Sequence, residues 1–243
     1  MKPRYAVYFV PEPGTALAKL GSALLGRDSE TGCPVSQPRF PGFMEEELRA
    51  LTADARRYGL HATLKAPFFL KEGMTEPDLL LFADRFVMGR QSIVLPRLLV
   101  KRIGAFFALV LSEETPPERE ASQRINTLAA DTVSLFDPFR TAPSGVEIAR
   151  RNPQKLSARQ LKLLAKWGYP YVFDEYRFHF TLTNKLGDDA AADVVQKRLE
   201  AYFQAVCHAP LDLSSLCICK QIVPGAEFML LQRFYFPDIP ASG

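Results

Sequence analysis

The chain has 243 residues, of which 47% are hydrophobic and 23% charged, a globular composition that excludes wholesale disorder. It has 30 Lys and Arg against 27 Asp and Glu, and the net charge of +3 is too small to indicate nucleic-acid binding by itself. No apolar run approaches the roughly 20 residues that cross a bilayer. The N-terminus lacks a cleavage signature, so we expect a cytoplasmic protein with no membrane partner.

Helical and strand patterns alternate along the whole chain, without a low-complexity linker. The hydrophobic spacing and the caps predict six helices, at about 17–25, 43–58, 75–89, 116–136, 157–167 and 188–207. Strands are predicted near 4–10, 60–66, 92–103, 105–112, 176–186, 210–222 and 227–236. The stretch 136–152 has no clear period and is rich in Pro, Gly and Arg, which predicts a connecting loop.

The four cysteines, Cys33, Cys207, Cys217 and Cys219, lack the spacing of a disulfide framework, as expected in a reducing compartment. On a strand, Cys217 and Cys219 would share one face, where we expect core packing. A thiol metal site is the alternative, although the chain has no CxxC pair and only three histidines.

The order of elements indicates an internal repeat. A strand, a helix and two strands follow residue 60, and the same series follows residue 176. Residues 99–111 (LVKRIGAFFALVL) resemble residues 218–231 (ICKQIVPGAEFMLL). We therefore expect one bilobal domain over 1–243, with lobes contributed by about 60–113 and 176–236.

Two of the three histidines begin the same pattern, HATL at His61 and HFTL at His179. Residues i and i+2 of a strand point to the same side, so each strand would carry a polar row over an apolar underside. The predicted polar rows are His61, Thr63 and Lys65 on one strand and Arg177, His179, Thr181 and Thr183 on the other. A half-buried antiparallel strand with one face in water is the alternative interpretation of either strand taken alone.

Paired imidazoles favour acid–base chemistry. A histidine titrates near neutral pH, so that one neutral ring can accept a proton while one charged ring donates one. Threonine hydroxyls beside cations suit the non-bridging oxygens of a phosphate in a transition state. This combination predicts displacement at phosphorus without a metal ion or a cofactor. His61, Thr63, His179 and Thr181 are the candidate catalytic residues, and Lys65, Arg177 and Thr183 the candidate substrate-binding residues.

The duplicated motif resembles that of the 2H phosphoesterase superfamily, which includes cyclic nucleotide phosphodiesterases and 2′-5′ RNA ligase-like proteins. The strings RYGLHATLKAPFFL, YRFHFTLTNKL and LLGRDSETG resemble most closely a branch associated with bacterial phosphonate metabolism. The resemblance implies an α+β, bilobal, pseudo-two-fold fold, with two mostly antiparallel sheets flanked by helices around a central cleft. It also implies that His61, Thr63, His179 and Thr181 are functional.

The resemblance implies hydrolysis of a small cyclic phosphate, such as a ribose cyclic phosphate. The segment between the motifs is longer than in minimal family members, which disfavours polymeric RNA as the substrate. Two alternatives remain open from the residues: a non-catalytic module that binds RNA or a nucleotide, and a 2′-5′ RNA ligase-like protein that uses the same cleft. The sequence indicates neither the oligomeric state nor which histidine is the acid.

Overall fold

The computed structural model describes residues 2–187, 189–209 and 211–237. Within these ranges the α-helices are α1 (Ala16–Leu25), α2 (Glu45–Tyr58), α3 (Glu76–Val87), α4 (Pro116–Leu135), α5 (Gly145–Ala149), α6 (Ala158–Trp167) and α7 (Asp189–Cys207). The strands are β1 (Arg4–Phe9), β2 (Ala62–Phe69), β3 (Ile93–Val94), β4 (Leu98–Ile103), β5 (Phe106–Leu111), β6 (His179–Thr181), β7 (Asp212–Leu213), β8 (Ser215–Gln221) and β9 (Met229–Tyr235). The predicted ends at residues 188 and 210 lie outside the described residues.

Seven strands form one antiparallel sheet in the order β4-β5-β6-β2-β1-β8-β9, and β3 pairs with β7 in a small second sheet. The predicted α+β class is therefore confirmed. The strands that carry the two motifs, β2 and β6, are neighbours in the middle of the large sheet. The bilobal, pseudo-two-fold arrangement and its lobe boundaries stay a prediction.

The main hydrophobic core lies between the large sheet and the helices that cover one of its faces. The sheet contributes apolar residues such as Phe9, Leu64 and Phe180, which are at most 1% exposed, and helices α1, α3, α4 and α7 contribute to the same cluster. The predicted apolar underside is thus confirmed from Leu60 to Leu64 of the first motif and from Phe178 to Leu182 of the second. None of the helices in the described ranges is long and apolar enough to cross a membrane.

The opposite face of the sheet carries a smaller cluster around β1 and β8. It contains Tyr8, Cys217, Cys219 and Phe228, each at most 4% exposed. Cys217 and Cys219 therefore share one face of a strand and pack in a core, as the sequence predicted. His61 lies beside this second cluster, against the Tyr8 ring.

Local capping explains where several helices begin and end. Thr75 accepts a hydrogen bond from the Asp78 backbone N–H at the start of α3, as its position in the sequence predicted. Gly26 ends α1 with a φ of +71°, a left-handed conformation that glycine adopts without strain. The predicted loop at 136–152 is partly wrong, because it contains a 3₁₀ turn at Asp137–Phe139 and the short helix α5.

Candidate active site

Strand pairing brings the two motifs side by side. Ala62 of β2 lies opposite Phe180 of β6 in the antiparallel ladder, and both side chains belong to the main core. Their neighbours along each strand therefore point to the other face of the sheet. This register sets each histidine next to the threonine of the other motif: His61 beside Thr181, and Thr63 beside His179.

Both imidazole rings are held in the same way by the backbone. The Nδ1 atom of His61 lies 2.9 Å from the Gly59 carbonyl oxygen, and that of His179 lies 2.8 Å from the Arg177 carbonyl oxygen. Because a carbonyl oxygen only accepts hydrogen bonds, each Nδ1 carries the proton, and Nε2 of the neutral ring is the acceptor. Neither Nε2 has a hydrogen-bond partner among the described residues.

The end of α2 fixes the carbonyl that holds His61. Gly59 follows the helix with a φ of +72°, and its N–H bonds to the Arg56 carbonyl oxygen. A Cβ atom at Gly59 would lie 2.8 Å from Ser29 Oγ, so a side chain has no room there. The sequence Gly59-Leu60-His61 therefore needs glycine both for its conformation and for its packing.

Aromatic side chains pack around His61. The ring of Tyr8 stacks against it with centroids 3.9 Å apart, and the ring of Tyr58 lies 5.9 Å away. Tyr8 reaches this position because it lies opposite Thr63 in the β1–β2 ladder and so points to the same face. The Tyr8 ring therefore holds one face of the His61 imidazole, and the Gly59 carbonyl oxygen holds its Nδ1 atom.

Burial lowers the pKa of both histidines. The pKa of His61 falls to about 4, mainly because the charged ring would lose its hydration, although the Gly59 hydrogen bond opposes the shift. The pKa of His179 is also lowered, first by burial and further by the nearby charge of Arg177. Both rings are therefore neutral in the free protein at pH 7.

The two threonines present unengaged hydroxyl groups on the same face. Thr63 and Thr181 are each partly exposed, and their Oγ1 atoms have no hydrogen-bond partner in the described parts of the chain. The Thr63 backbone is held separately, because its carbonyl oxygen accepts a hydrogen bond of 2.9 Å from the Tyr176 hydroxyl. The face thus offers two imidazole nitrogens and two hydroxyls to a ligand.

A β-bulge removes Lys65 from this face. Tyr8 of β1 pairs with Thr63 of β2, whereas the next β1 residue, Val7, pairs with Lys65. Strand β2 therefore has one extra residue here, so that both Leu64 and Lys65 lie opposite Val7. Val7 belongs to the main core, and Lys65 points with it toward the helices. The prediction that Lys65 shares the His61 face is therefore wrong.

Lys65 instead forms a buried ion pair under the sheet. Its side chain is 4% exposed, and Nζ lies 2.8 Å from the Val133 carbonyl oxygen and 3.1 Å from Asp137 Oδ1. Burial lowers the pKa of Lys65 to about 8, and the charge of Asp137 opposes this shift. These contacts give the lysine a structural role between β2 and α4.

Thr183 also lies away from the predicted face. Strand β6 ends at Thr181, so the alternation of side chains does not continue to residue 183. The Thr183 hydroxyl is buried, accepts a hydrogen bond from the Phe107 N–H and donates one to the Asn184 carbonyl oxygen, each at 2.9 Å. The prediction that Thr183 shares the His179 face is therefore wrong.

Arg177 is exposed just before β6, and its carbonyl oxygen holds the His179 ring. Its charge is close enough to lower the pKa of His179. Contact between its guanidinium and a substrate stays a prediction. In the described residues no group of three or more His, Cys, Asp or Glu side chains is arranged to hold a metal ion.

Sequence analysis missed part of the surroundings of His61. Tyr58 packs beside the ring, and Arg4 lies on the same face as Tyr8 because residues 4, 6 and 8 of β1 alternate together. The alternation of side chains along β1 could have placed Arg4 on the face of Tyr8, once β1 was known to pair with β2. No local signal in the sequence indicated that Tyr169, from the segment between α4 and β6, would lie near Tyr8, or that Arg151 would lie over the Tyr169 ring.

Comparison with known proteins identifies relatives of this chain. A family model described as "Protein of unknown function (DUF1045)" matches residues 63–229. The chain is 42% identical over 244 residues to "Ribose 1,5-bisphosphate phosphokinase PhnN" of Janthinobacterium sp. (strain Marseille), covering 99% of this chain and 51% of that protein. It is 34% identical over 232 residues to the protein of the same name from Laribacter hongkongensis (strain HLHK9), covering 93% of this chain and 50% of the relative. The chain thus spans about half the length of these curated relatives.

Among solved structures, Usb1 of Kluyveromyces marxianus aligns with 95% of this chain and 98% of its own, at 10% identity and a TM-score of 0.35. The same protein with uridine monophosphate aligns at 11% identity and a TM-score of 0.32. At these scores the similarity supports no argument about fold or function. The family model, in contrast, covers well over half of the chain, and the protein therefore belongs to the DUF1045 family of proteins of unknown function.

Proposed function

We propose that the protein is a metal-independent phosphoesterase that hydrolyses a cyclic phosphodiester by acid–base catalysis with His61 and His179. The observation that carries this proposal is that both imidazole rings have the same tautomer and the same backbone hydrogen bond. Each Nδ1 is bonded to the carbonyl oxygen two residues earlier, and each Nε2 is left free on the same face of the sheet. In the register of the ladder the two histidines lie on one diagonal of a four-residue square, and the two threonines, with unengaged hydroxyls, lie on the other.

The pKa values favour one division of labour. His61, with the pKa of about 4, stays neutral over the wider pH range and acts as the base. It takes a proton at Nε2 from the water whose oxygen bonds to phosphorus. His179 protonates the ester oxygen that leaves as the P–O bond breaks, so the product is a phosphate monoester with a free hydroxyl. Proton exchange with solvent restores both rings.

Thr63 and Thr181 serve as hydrogen-bond donors to the non-bridging phosphate oxygens. Their hydroxyls do not titrate in this pH range, and they lie beside the histidines in the ladder. Donors fixed in place before the reaction stabilise charge that grows on those oxygens in the transition state. Arg177, exposed beside His179, adds a positive charge on that side of the site.

The substrate that best fits the relatives is a small sugar or nucleotide cyclic phosphate linked to phosphonate metabolism. The curated relatives are named for a kinase that acts on ribose 1,5-bisphosphate. Opening the cyclic ester of a ribose 5-phosphate 1,2-cyclic phosphate at the 2-oxygen gives a ribose with phosphates at positions 1 and 5. The resemblance of the two motifs to a phosphonate-associated branch of the 2H phosphoesterases supports the same class.

Phosphorus NMR on a panel of 2′,3′-cyclic nucleotides and ribose cyclic phosphates tests the proposal. We expect turnover that chelators leave unchanged, and a loss of about 10²- to 10⁴-fold in kcat for His61→Ala and for His179→Ala. His208→Ala is the matched control, because this third histidine is exposed and lies outside the site. Salt-sensitive RNA binding without turnover of any cyclic phosphate would favour the non-catalytic alternative.

The pH dependence provides a second readout in the same assay. The base must be neutral, which requires a pH above about 4, and the acid must be protonated, which requires a pH below the lowered pKa of His179. The kcat/KM profile should therefore be bell-shaped, with its maximum between about 4 and the ordinary histidine value of 6.5. A profile that is flat from pH 5 to 9 would contradict the two-histidine mechanism.

A further inference from the structure

Three tyrosines form a cluster next to the histidine–threonine face. Tyr8 and Tyr58 pack around His61, and the Tyr58 ring stacks on Phe228 with centroids 5.2 Å apart and an interplanar angle of 16°. Tyr169 comes from the segment before β6. Burial is the main cause that raises the pKa of Tyr8 and of Tyr169. The Tyr58 and Tyr169 phenols add to the shift of Tyr8, and Tyr58 adds to that of Tyr169, so the three phenol groups lie within electrostatic range of one another.

The hydroxyl groups of this cluster have no partners in the structure. Tyr8 is 1% exposed and Tyr58 and Tyr169 are partly buried, yet none of the three hydroxyls has a hydrogen-bond partner among the described residues. None of them is among the fully buried polar atoms that lack a partner, so each hydroxyl is open to a ligand or to water, whereas most buried phenol groups donate a hydrogen bond. Tyr5, Tyr176, Tyr202 and Tyr235 of this chain all donate such a bond.

Two guanidinium groups lie against aromatic rings of this cluster. The Arg151 guanidinium lies 4.7 Å from the centroid of the Tyr169 ring. Arg4 shares the face of Tyr8 and lies over Phe228 at 5.6 Å. Its Nε and Nη2 atoms donate to Gln221 Oε1 at 2.8 and 2.5 Å, so Arg4 is fixed in place by a neutral partner.

One neighbouring carboxylate is already engaged elsewhere. Glu227, next to Phe228 in the chain, forms an ion pair of 3.0 Å with the buried Arg27. In the described residues neither Arg4 nor Arg151 has a carboxylate within 4.0 Å. The cluster therefore combines hydrogen-bond donors with two guanidinium groups that have no carboxylate partner in the part of the chain that the structure describes.

We propose that Tyr8, Tyr58, Tyr169, Arg4 and Arg151 form a second phosphate subsite beside the catalytic face. This inference rests on the proposed function and names its substrate class: a cyclic phosphate that also carries a separate phosphate monoester. The phenol O–H groups donate to the monoester oxygens, and the arginines supply charge and further N–H donors. The cyclic ester lies at His61 and His179 while the monoester occupies this subsite.

A neutral sugar or a stacked base fits the cluster less well. The Tyr8 ring is already stacked on His61 and the Tyr58 ring on Phe228, so these faces are occupied by protein. The hydroxyl groups of these tyrosines, and not their ring faces, are therefore available to a ligand. Charge-assisted hydrogen bonds to a phosphate satisfy the phenols and the guanidinium groups together.

The test compares pairs of substrates that differ only in the monoester. The pairs are ribose 1,2-cyclic phosphate with and without a 5-phosphate, and 2′,3′-cyclic AMP with and without a 5′-phosphate. For at least one pair we expect wild type to prefer the phosphorylated member by about tenfold or more in kcat/KM. Tyr169→Phe and Arg151→Gln should bring that preference close to one by raising KM for the phosphorylated substrate alone.

Tyr171→Phe is the matched control, because this neighbouring tyrosine is 45% exposed and its ring packs on Tyr169. It should leave the preference unchanged. Equal kcat/KM within both pairs in wild type, or a preference that survives in Tyr169→Phe and Arg151→Gln, would overturn the subsite while leaving the phosphoesterase intact.

Binding of ribose 5-phosphate, measured by calorimetry, separates the two proposals if no substrate is turned over. This ligand has the monoester but no cyclic ester. Binding that weakens in Tyr169→Phe and Arg151→Gln but not in Tyr171→Phe would support the subsite even if the catalytic proposal fails. Unchanged binding in all variants, or none in wild type, would overturn the subsite.

Discussion

His61 is expected to make the folded protein sensitive to acid. Burial lowers its pKa to about 4, whereas the ring titrates near 6.5 in an unfolded chain. Between these values the unfolded chain binds a proton at this position that the folded protein does not bind. The contribution of neutral His61 to the free energy of unfolding is therefore complete above pH 6.5 and is lost as the pH falls toward 4.

The melting temperature measured from pH 7 to pH 4.5 tests this expectation. His61→Gln should lose less of its melting temperature over that range than wild type, because glutamine does not titrate. His208→Gln changes an exposed histidine and should follow wild type. Parallel curves for wild type and His61→Gln would show that the ring is not buried as described.

The alternation of side chains along the strands predicted which face carries the two histidines and two threonines, but not everything on that face. The period of two holds for His61 and Thr63 and for His179 and Thr181, because these residues lie at regular positions of paired strands. It fails at Lys65, since the bulge depends on how β1 pairs with β2, which is not encoded in the local order of residues.

At the scale of elements, α1 and the start of β2 are packed too closely for a side chain at Gly21. A Cβ atom there would lie 2.1 Å from Cδ2 of Leu60, the buried residue just before His61. Alanine normally stabilises a helix interior relative to glycine by about 1 kcal/mol. Here overpacking outweighs that gain, and we expect Gly21→Ala to lower the free energy of unfolding by about 1 to 2 kcal/mol.

Urea unfolding measures this effect. Gly145→Ala is the control, because nothing lies within 4 Å of a Cβ atom at that helical position. It should change stability by less than about 0.5 kcal/mol. A stabilised Gly21→Ala protein would mean that α1 is free to move away from Leu60.

The boundaries of elements were predictable where local capping determines them. Thr75 and Gly26 mark helix ends by chemistry that is visible in the sequence. The end of β6 after Thr181 was not predictable in this way, because the chain there follows tertiary hydrogen bonds: the Leu182 and Thr183 N–H groups both donate to the Phe107 carbonyl oxygen. The misplacement of Thr183 follows from that difference.

At the scale of the whole molecule, the segment before β6 is held by a small core of its own. Val133, Leu163 and Val172 form this cluster, and Trp167 and Tyr169 pack against it. The main core is far larger. Regions with few buried apolar contacts open at lower free energy than the rest of a protein, so we expect this segment to unfold first.

Trp167 is the only tryptophan of the chain and reports on this segment directly. Its fluorescence should change at a lower urea concentration than the far-UV circular dichroism of the whole protein. Leu163→Ala should widen the difference, whereas Leu109→Ala, in the main core, should move both transitions. Coincident transitions in wild type would show one cooperative unit instead.

The way in which the two rings are oriented has a consequence for how the protein would become active. A peptide oxygen fixes each tautomer but, unlike a carboxylate, brings no negative charge to stabilise an imidazolium. The missing counter-ion must then arrive with the anionic ligand itself. Docking of a phosphate would draw a proton from the buffer onto His179, so that the protein acquires its acid only when there is a bond for it to cleave.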